Sequence, residues 1–495
     1  MLLPKGHRIT KSHKSLSRQS VEGTALLIAT RFVVRLIGFV SVSITARLLT
    51  PEDFGLVGAA SIVIGLFAIL NQIGVDEYII RTKKIDEEEL QTIWTLRLLI
   101  SATIAAIIFL AAPMAAEILQ EERLVEVLKV LSVASLLGAL QSPASAFFNR
   151  DLAYGKEFLL KSSNKIVAVV VTIICAYLFR TYWALVWGQL AGVAFSIVSS
   201  QIARPFRPTL SLAKSSKVGN LAFWTLMVAL NAYGVRNADE WIAKRSSDSA
   251  GFGAYHISRD LCRLFVAEIL APAGQVFFPG ASRVQDDPQR LNEVVSRFAG
   301  AAFLLAFAVA AGISAVSAEL VYILLGYQWG QAIVYMPYVA VGTAAAVLVD
   351  MFSGLYVIRN QQNISTRFKF FRLLLLVAVC GYAAKSGYGL EGVAFAFALV
   401  SVMTVFGELA WLFSGSKFRV SLLRECWRPV LASAAMYYAV SAITLPDSWS
   451  LIAIAAIKVG AGIICYAGGI AFLWVISGRP KGGESEIIAR VQDYL

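Results

Sequence analysis

Charge is scarce in this chain: Asp, Glu, Lys and Arg together make up 15% of its 495 residues. A soluble domain usually carries about a quarter charged residues, so a fully hydrated surface is excluded. Paired cysteine spacing is also missing. Cys175, Cys262, Cys380 and Cys465 stand in apolar stretches and Cys426 in a basic one, which supports neither a disulfide framework nor a zinc site. No phosphate-binding Gly-rich loop, HExxH, GxSxG or Cys/His cluster is present, so the sequence predicts no catalytic residues, no metal and no cofactor. Long polar loops are absent too. The connections Thr50 to Asp53, Ala384 to Leu390 and Leu445 to Ser450 are turn-length and leave no room for a catalytic domain outside the membrane. The first twenty residues lack the apolar run of roughly 7 to 15 residues that a cleavable signal peptide needs, so the first helix is expected to act as its own insertion signal.

What the chain does have is apolar length. It is 58% hydrophobic, with a mean hydropathy of +0.68. From Thr24 to Ile476 apolar segments of about 20 residues follow one another with short polar breaks, and about 20 residues is what a helix needs to cross hydrocarbon. The segments fall at 24–46, 54–75, 93–112, 124–147, 166–179, 183–203, 218–238, 252–278, 298–318, 331–357, 370–385, 391–413, 429–445 and 451–476. The fold class is therefore all-α: a polytopic integral membrane protein of about 14 (12–14) transmembrane helices.

Basic residues orient it, because Lys and Arg close to a span are retained on the cytoplasmic side. The tail residues Lys5, Arg8, Lys11, Lys14 and Arg18 place the N-terminus inside. Alternate breaks agree: Arg150, Lys156, Lys161 and Lys165; Arg204, Arg207, Lys214 and Lys217; Arg359, Arg367, Lys369 and Arg372; Lys417, Arg419, Arg424 and Arg428. An even number of spans puts both termini in the cytoplasm. The net charge of +12 is then mostly topogenic and calls for no nucleic-acid partner.

An internal repeat organises the spans. Arg47 stands seven residues before Phe54-Gly55 after the first helix, and Arg245 stands seven before Phe252-Gly253 after the seventh. Transporters are commonly built from such repeats, with the substrate between them. The expected layout is a basic tail (1–23), an N-terminal six-helix bundle (24–203), a C-terminal six-helix bundle (218–413), two additional helices (429–476) and a cytoplasmic tail (477–495) with a short helix at 484–494. Because six is even, the two bundles are parallel repeats about an axis normal to the membrane.

Ala46-Arg-Leu-Leu-Thr-Pro-Glu-Asp-Phe-Gly55, then Asn71-Gln72-Ile-Gly74 and Tyr78-Ile79-Ile80, resemble the start of the bacterial polysaccharide transporters. Gly253-Ala-Tyr255 and Phe278-Pro279-Gly-Ala-Ser282-Arg283 agree in the second half. These are the O-antigen and exopolysaccharide flippases of the multidrug/oligosaccharidyl-lipid/polysaccharide exporter superfamily. The resemblance implies a V-shaped pair of bundles in the bacterial inner membrane that moves a polyprenyl-pyrophosphate-linked oligosaccharide by alternating access. Membrane lipids, a polysaccharide polymerase and chain-length machinery are the implied partners.

Such a substrate needs a hydrated, cationic path. A charge at mid-span costs about 2.5 to 3.5 kcal/mol on insertion scales and tends to face the bundle interior. Arg31 and Arg35 lie four apart in the first helix, and Arg259 and Arg263 repeat that spacing in the eighth. A guanidinium fork matches phosphate oxygens, so these four are the expected substrate-binding residues, the competing reading being that Arg31 pairs with a neighbouring acid or snorkels to the cytoplasmic surface and that Arg259 does the same outward. Asp260, Asp350, Glu408 and Lys458 are the candidates for coupling or gating. Trp183, Trp187, Trp224 and Tyr233 read as interfacial aromatics. A multidrug exporter of the same superfamily is the main alternative, although its organic cations call for acids rather than arginines. A membrane polysaccharide polymerase or ligase lacks an outer catalytic loop here, and a purely structural subunit would not need two arginine pairs at transport depth.

Overall fold

The computed structural model describes residues 16–71, 85–143, 147–151, 153–213, 222–412, 419–446 and 448–478. Fourteen long helices run through them. They are α1 (Leu16–Leu48), α2 (Pro51–Asn71), α3 (Glu87–Ile118), α4 (Leu124–Gly138), α5 (Tyr154–Phe179), α6 (Trp183–Ala203), α7 (Ala222–Arg245), α8 (Ser249–Ser282), α9 (Pro288–Ala315), α10 (Gly330–Ile358), α11 (Gln362–Lys385), α12 (Gly389–Leu412), α13 (Arg419–Ser441) and α14 (Leu451–Ile476). Each of the fourteen apolar segments corresponds to one of them. Ten are long and apolar enough to span a membrane by length and composition, and α4, α7, α11 and α13 fall outside that criterion. The protein is thus multi-pass and all-helical among the described residues. The motif residues 72–80, Lys214 and Lys217, Lys417, most of the N-terminal tail and the tail helix at 484–494 lie outside the described residues.

The packing repeats with a period of six helices. In the first half α1 lies on α5, α5 on α6, α4 on α6, α3 on α4, and α2 on α3 and α4. The second half has α7 on α11, α11 on α12, α10 on α12, α9 on α10, and α8 on α9 and α10. The halves meet through α2 and α8, the repeat-related pair, with α7 also against α2. Last, α13 packs on α9, and α14 on α13 and the short helix Ser317–Leu324.

The repeated motif is built for helix starts. Thr50 caps α2: its hydroxyl accepts from Asp53 N at 3.3 Å, while the Asp53 carboxylate accepts from Thr50 N at 3.0 Å, with Pro51 at the first helical position. Asp53 also accepts from Tyr182 N at 3.0 Å, which ties α2 to the start of α6. Asp248 caps α8, accepting from Gly251 N at 2.9 Å.

Several helices run past the apolar segments that announced them, because charges that end a hydropathy window need not end a helix. The fifth segment was expected at 166–179, yet α5 starts at Tyr154 and carries Lys156, Lys161 and Lys165. Lys161 is neutralised by Glu157 four residues earlier. The seventh was expected to stop at 238, yet α7 continues through Asp239 and Glu240 to Arg245.

Candidate functional site

Between the halves, the seam is shut most tightly where Phe-Gly recurs, the end that the charge bias assigns to the outside. A Cβ added to Gly55 would sit 1.9 Å from Ser249 O, and one on Gly253 would sit 1.9 Å from Pro51 O. Only glycine lets the two backbones cross there, and each half supplies one. The phenylalanines beside them are buried, and Phe54 meets Trp329 edge-on at 5.2 Å between centroids. Trp329 Nε1 donates to Ala46 O at 2.8 Å and Gln328 Nε2 to Leu49 O at 2.9 Å, so the loop before α10 clasps the end of α1. Arg47 donates to Ile323 O across the same gap.

A polar latch stands outside this crossing. Glu121, in the turn between α3 and α4, accepts from Ser249 of the other half and lies 3.9 Å from Lys244 Nζ, which donates to Ser249 Oγ at 2.8 Å. Burial raises the Glu121 carboxyl, but hydrogen bonds from Arg123 and Ser249 and the charges of Arg123 and Lys244 outweigh it and hold the group below its ordinary value.

Further in, the contacts thin out. Gly58 faces His256, the Tyr233 hydroxyl donates to Ile62 O, Phe39 meets Phe265 edge-on at 5.9 Å, and Arg35 pairs with Glu268. His256, Asp260 and Arg263 follow one another at spacings of four and three and so share one stripe of α8, while Glu268 reaches Arg35 from a different row of the same helix.

Cations climb along this seam. The apolar span of α1 begins at Ala29, which puts Arg31 at its N-terminal edge and Arg35 about one turn deeper. Arg31 is exposed, and among the described residues it forms no hydrogen bond or ion pair. Arg35 remains 42% exposed beside Glu268. Arg263, five residues before Glu268 on α8, is half-buried and likewise unpaired, with Glu240, Asp260 and Asp239 in electrostatic reach. The charge pattern predicts Lys165 in a cytoplasmic break. It stands instead eleven residues into α5 and runs against α1, its Nζ 3.7 Å from where a Cβ on Gly38 would be. A Glu-x-x-x-Lys pair ahead of it, Glu157 and Lys161, was the available signal that the helix had already begun.

Arg259 is placed elsewhere. Only 3% exposed, it is clamped inside the second half: Nε lies 2.9 Å from Asp239 Oδ2, Nη2 donates to Asp239 Oδ1 at 3.0 Å and to Arg236 O at 2.8 Å, and the guanidinium lies 4.1 Å over the Phe397 ring. Arg259 thus serves as the counter-charge without which Asp239 could not be buried. Tyr255 donates to the same Asp239 at 2.6 Å. Asp260 is exposed and pairs with His256 rather than with the neighbouring arginines. Glu408 is buried beside Tyr356, with Lys369 and Arg372 in reach, and is not solvated at a helix end. Asp350 is exposed. Lys458 neither lines the seam nor reaches a lipid surface freely: its Nζ pairs with Glu319 Oε1 at 2.6 Å and fastens α14 to the short helix Ser317–Leu324.

Two sets of helices with one packing plan, joined chiefly through α2 and α8, closed at the Phe-Gly crossing and lined by cations away from it, have the layout of a membrane transporter. A family described as "Polysaccharide biosynthesis protein" matches residues 44–334, and the chain belongs to it. It is similar to the lipopolysaccharide biosynthesis protein WzxC of Escherichia coli (strain K12), 21% identical over 426 residues that cover 85% of this chain and 86% of the relative. The succinoglycan biosynthesis transport protein ExoT of Rhizobium meliloti (strain 1021) is 19% identical over 296 residues, 59% of this chain and 60% of ExoT. The fold is that of the lipid II flippase MurJ in an inward closed conformation, with a TM-score of 0.75 at 14% identity, covering 92% of this chain and all of that one.

Proposed function

We propose that this protein is a flippase carrying a polyprenyl-pyrophosphate-linked oligosaccharide, the repeat unit of an exopolysaccharide, O-antigen or capsule, across the bacterial inner membrane by alternating access. The observation that carries the reading is the row Arg31, Arg35, Lys165 and Arg263, three of them without an ion-pair partner among the described residues, in a protein otherwise poor in charge. Unpaired cations within a span are costly to insert unless an anion comes to meet them. A pyrophosphate drawn from the inner side would meet Arg31 first, would compete with Glu268 for Arg35, and would then reach Lys165 and Arg263. Both WzxC and ExoT are named for the biosynthesis or transport of surface polysaccharides, and MurJ for flipping a lipid-linked glycan.

In this reading residues 24–203 and 218–413 move as two bodies, 429–476 ride on the second, and both tails are cytoplasmic. A polymerase and chain-length machinery receive the product outside. The chain performs no covalent chemistry. A multidrug exporter with the same fold would offer acids to organic cations, whereas Asp239 and Glu240 are matched by Arg259 and His256, and Asp260 and Glu268 face His256 and Arg35.

The test is leaflet-resolved analysis of polyprenyl-pyrophosphate intermediates in a strain lacking this chain, complemented with wild type, Arg35→Ala or Lys165→Ala. Loss of surface polymer with intermediates held on the cytoplasmic leaflet, rescued by wild type and not by the variants, is expected. Normal arrival of intermediates outside, with only drug sensitivity changed, would replace the flippase with the exporter.

A further inference from the structure

One ionisable cluster in the seam takes no part in holding an anion. His256 lies one turn inward of the Phe-Gly crossing, its Nδ1 3.1 Å from Glu240 Oε2 and its Nε2 3.7 Å from Asp260 Oδ2. Glu240 is nearly fully buried at 3% exposure, whereas Asp260 is 54% exposed, so the imidazole joins an interior carboxylate to an accessible one. The far wall of this site belongs to the other half. A Cβ on Gly58 of α2 would come within 2.8 Å of His256 Cδ2, so the bare backbone of α2 covers the ring. From α7 the ring is faced by Glu240, with Asp239 behind it paired to Arg259; from its own helix by Asp260 and Arg263, with Phe252 stacked at 5.8 Å; and from α2 by no charged group, since the acids of that helix, Glu52 and Asp53, are in its first turn.

An imidazole between two carboxylates and roofed by another body's backbone holds a proton through both acids while the roof is in place. Moving α2 away lets water screen both contacts. A group whose proton affinity differs between two conformations links them, and the linkage is reciprocal: closure favours the proton, and the proton favours closure. We infer that His256, with Glu240 and Asp260, is the proton-binding site of this transporter, through which uptake of a proton closes the outer end of the seam. The inference rests on the alternating-access reading above and adds an ion to it. Protonation after delivery outside would return the carrier to the outer-closed form, and exposed Asp260 is the relay by which the proton leaves again.

Amide hydrogen exchange on the full-length protein in lipid nanodiscs tests this without any glycan, so its failure is distinct from failure of the flippase reading, which the leaflet analysis decides. After correction for intrinsic rates, peptides covering residues 50–60 and 248–256 are expected to exchange at least threefold more slowly at pH 5.5 than at pH 8. The His256→Gln variant is expected to lose that difference, and Glu121→Gln, whose carboxyl titrates well below this range, to keep it. Should His256→Gln not fold, Asp260→Asn removes one of the two carboxylates at an exposed position and is expected to shift the transition to lower pH. A wild-type protein with no difference across this range overturns the proposal. So does a folded His256→Gln protein that responds as wild type does, or, where that variant does not fold, an Asp260→Asn protein whose transition stays in place.

Discussion

The first half leaves its cations standing in the seam, and the second keeps most of its charge inside its own core. Arg31, Arg35 and Lys165 belong to α1 and α5 and retain free or shared donors. The repeat-related helices of the second half, α7 and α11, carry Asp239 and Glu240, bound up with Arg259 and His256 of α8, and Arg372, buried with Nη2 donating to Ser401 Oγ at 3.1 Å. The packing plan is the same in both halves while the use of charge is not. Duplicated helices can keep one set of neighbours and still divide labour: in the proposed function the first half supplies three of the four cations offered to the substrate, and the second adds Arg263 while pairing its other charges inside.

The sharpest way to break this contrast is to remove one charge from each half and compare stability. Arg259→Ala leaves Asp239 buried without its counter-charge and is expected to destabilise the protein by about 3–5 kcal/mol, read as thermal or denaturant unfolding in detergent. Arg31→Ala is expected to change stability by no more than about 0.5 kcal/mol. Equal losses at the two sites would remove the distinction between the halves. Replacing Arg259 and Asp239 together with Met and Leu should recover most of the loss, because the cost lies in the orphaned charge.

Next in size is the crossing that both halves share. Gly55→Ala drives a methyl into the backbone of α8 and cannot be absorbed by a flexible side chain, since the atoms met are Ser249 O and C. Overpacking of this kind costs about 1–3 kcal/mol. The outer end is expected to open about tenfold more often, seen as faster amide exchange over residues 50–60, and Gly253→Ala should do the same because the crossing is symmetric. An effect at one glycine and none at the other would mean that the repeat does not extend to the gate.

Much of this was legible without coordinates. The all-helical, multi-pass class and the Phe-Gly repeat could be read because lipid imposes length and apolarity on a span, and because a capped helix start leaves Thr-Pro-Glu-Asp in the chain. Helix ends were not legible where charge is paired inside the bundle: Lys165 was assigned to a loop because Lys156 and Lys161 precede it, and α7 was cut just before Asp239 and Glu240. Those two acids, with His256, are the residues that decide what Arg259 does. Their partners lie 16 to 20 positions away on the next helix, a separation that no helical periodicity reports.

A smaller effect, on transport rather than stability, separates Lys165 from its neighbours. Lys165→Gln keeps the length and polarity of the side chain and removes one charge from the row. A hydrogen bond to a charged group contributes about 1.5–3 kcal/mol, so translocation of the lipid-linked glycan is expected to fall about tenfold with unfolding unchanged. Unaltered translocation would leave α1 as the only element of the first half that meets the anion.

The smallest effect belongs to the latch outside the crossing. The Arg123 partner of Glu121 is 44% exposed, ion pairs of that kind contribute about 0.2–1 kcal/mol, and Lys244 keeps its bond to Ser249, so Glu121→Gln should raise outer opening only a few-fold. Its pH dependence carries more information than its size. The Glu121 carboxyl sits below its ordinary value of 4.5, so its contribution is fully present above that pH and is lost as pH falls further through the folded value. Acid should therefore loosen the latch only below about pH 4.5, whereas the proposed protonation of His256 acts in the opposite direction and tightens the seam. Amide exchange over residues 119–125 and 248–256, followed from pH 8 to pH 3.5, should show protection rising first and falling last. In Glu121→Gln the late fall should vanish while the early rise survives, because the two groups lie at different depths of one interface and answer to the proton with opposite sign.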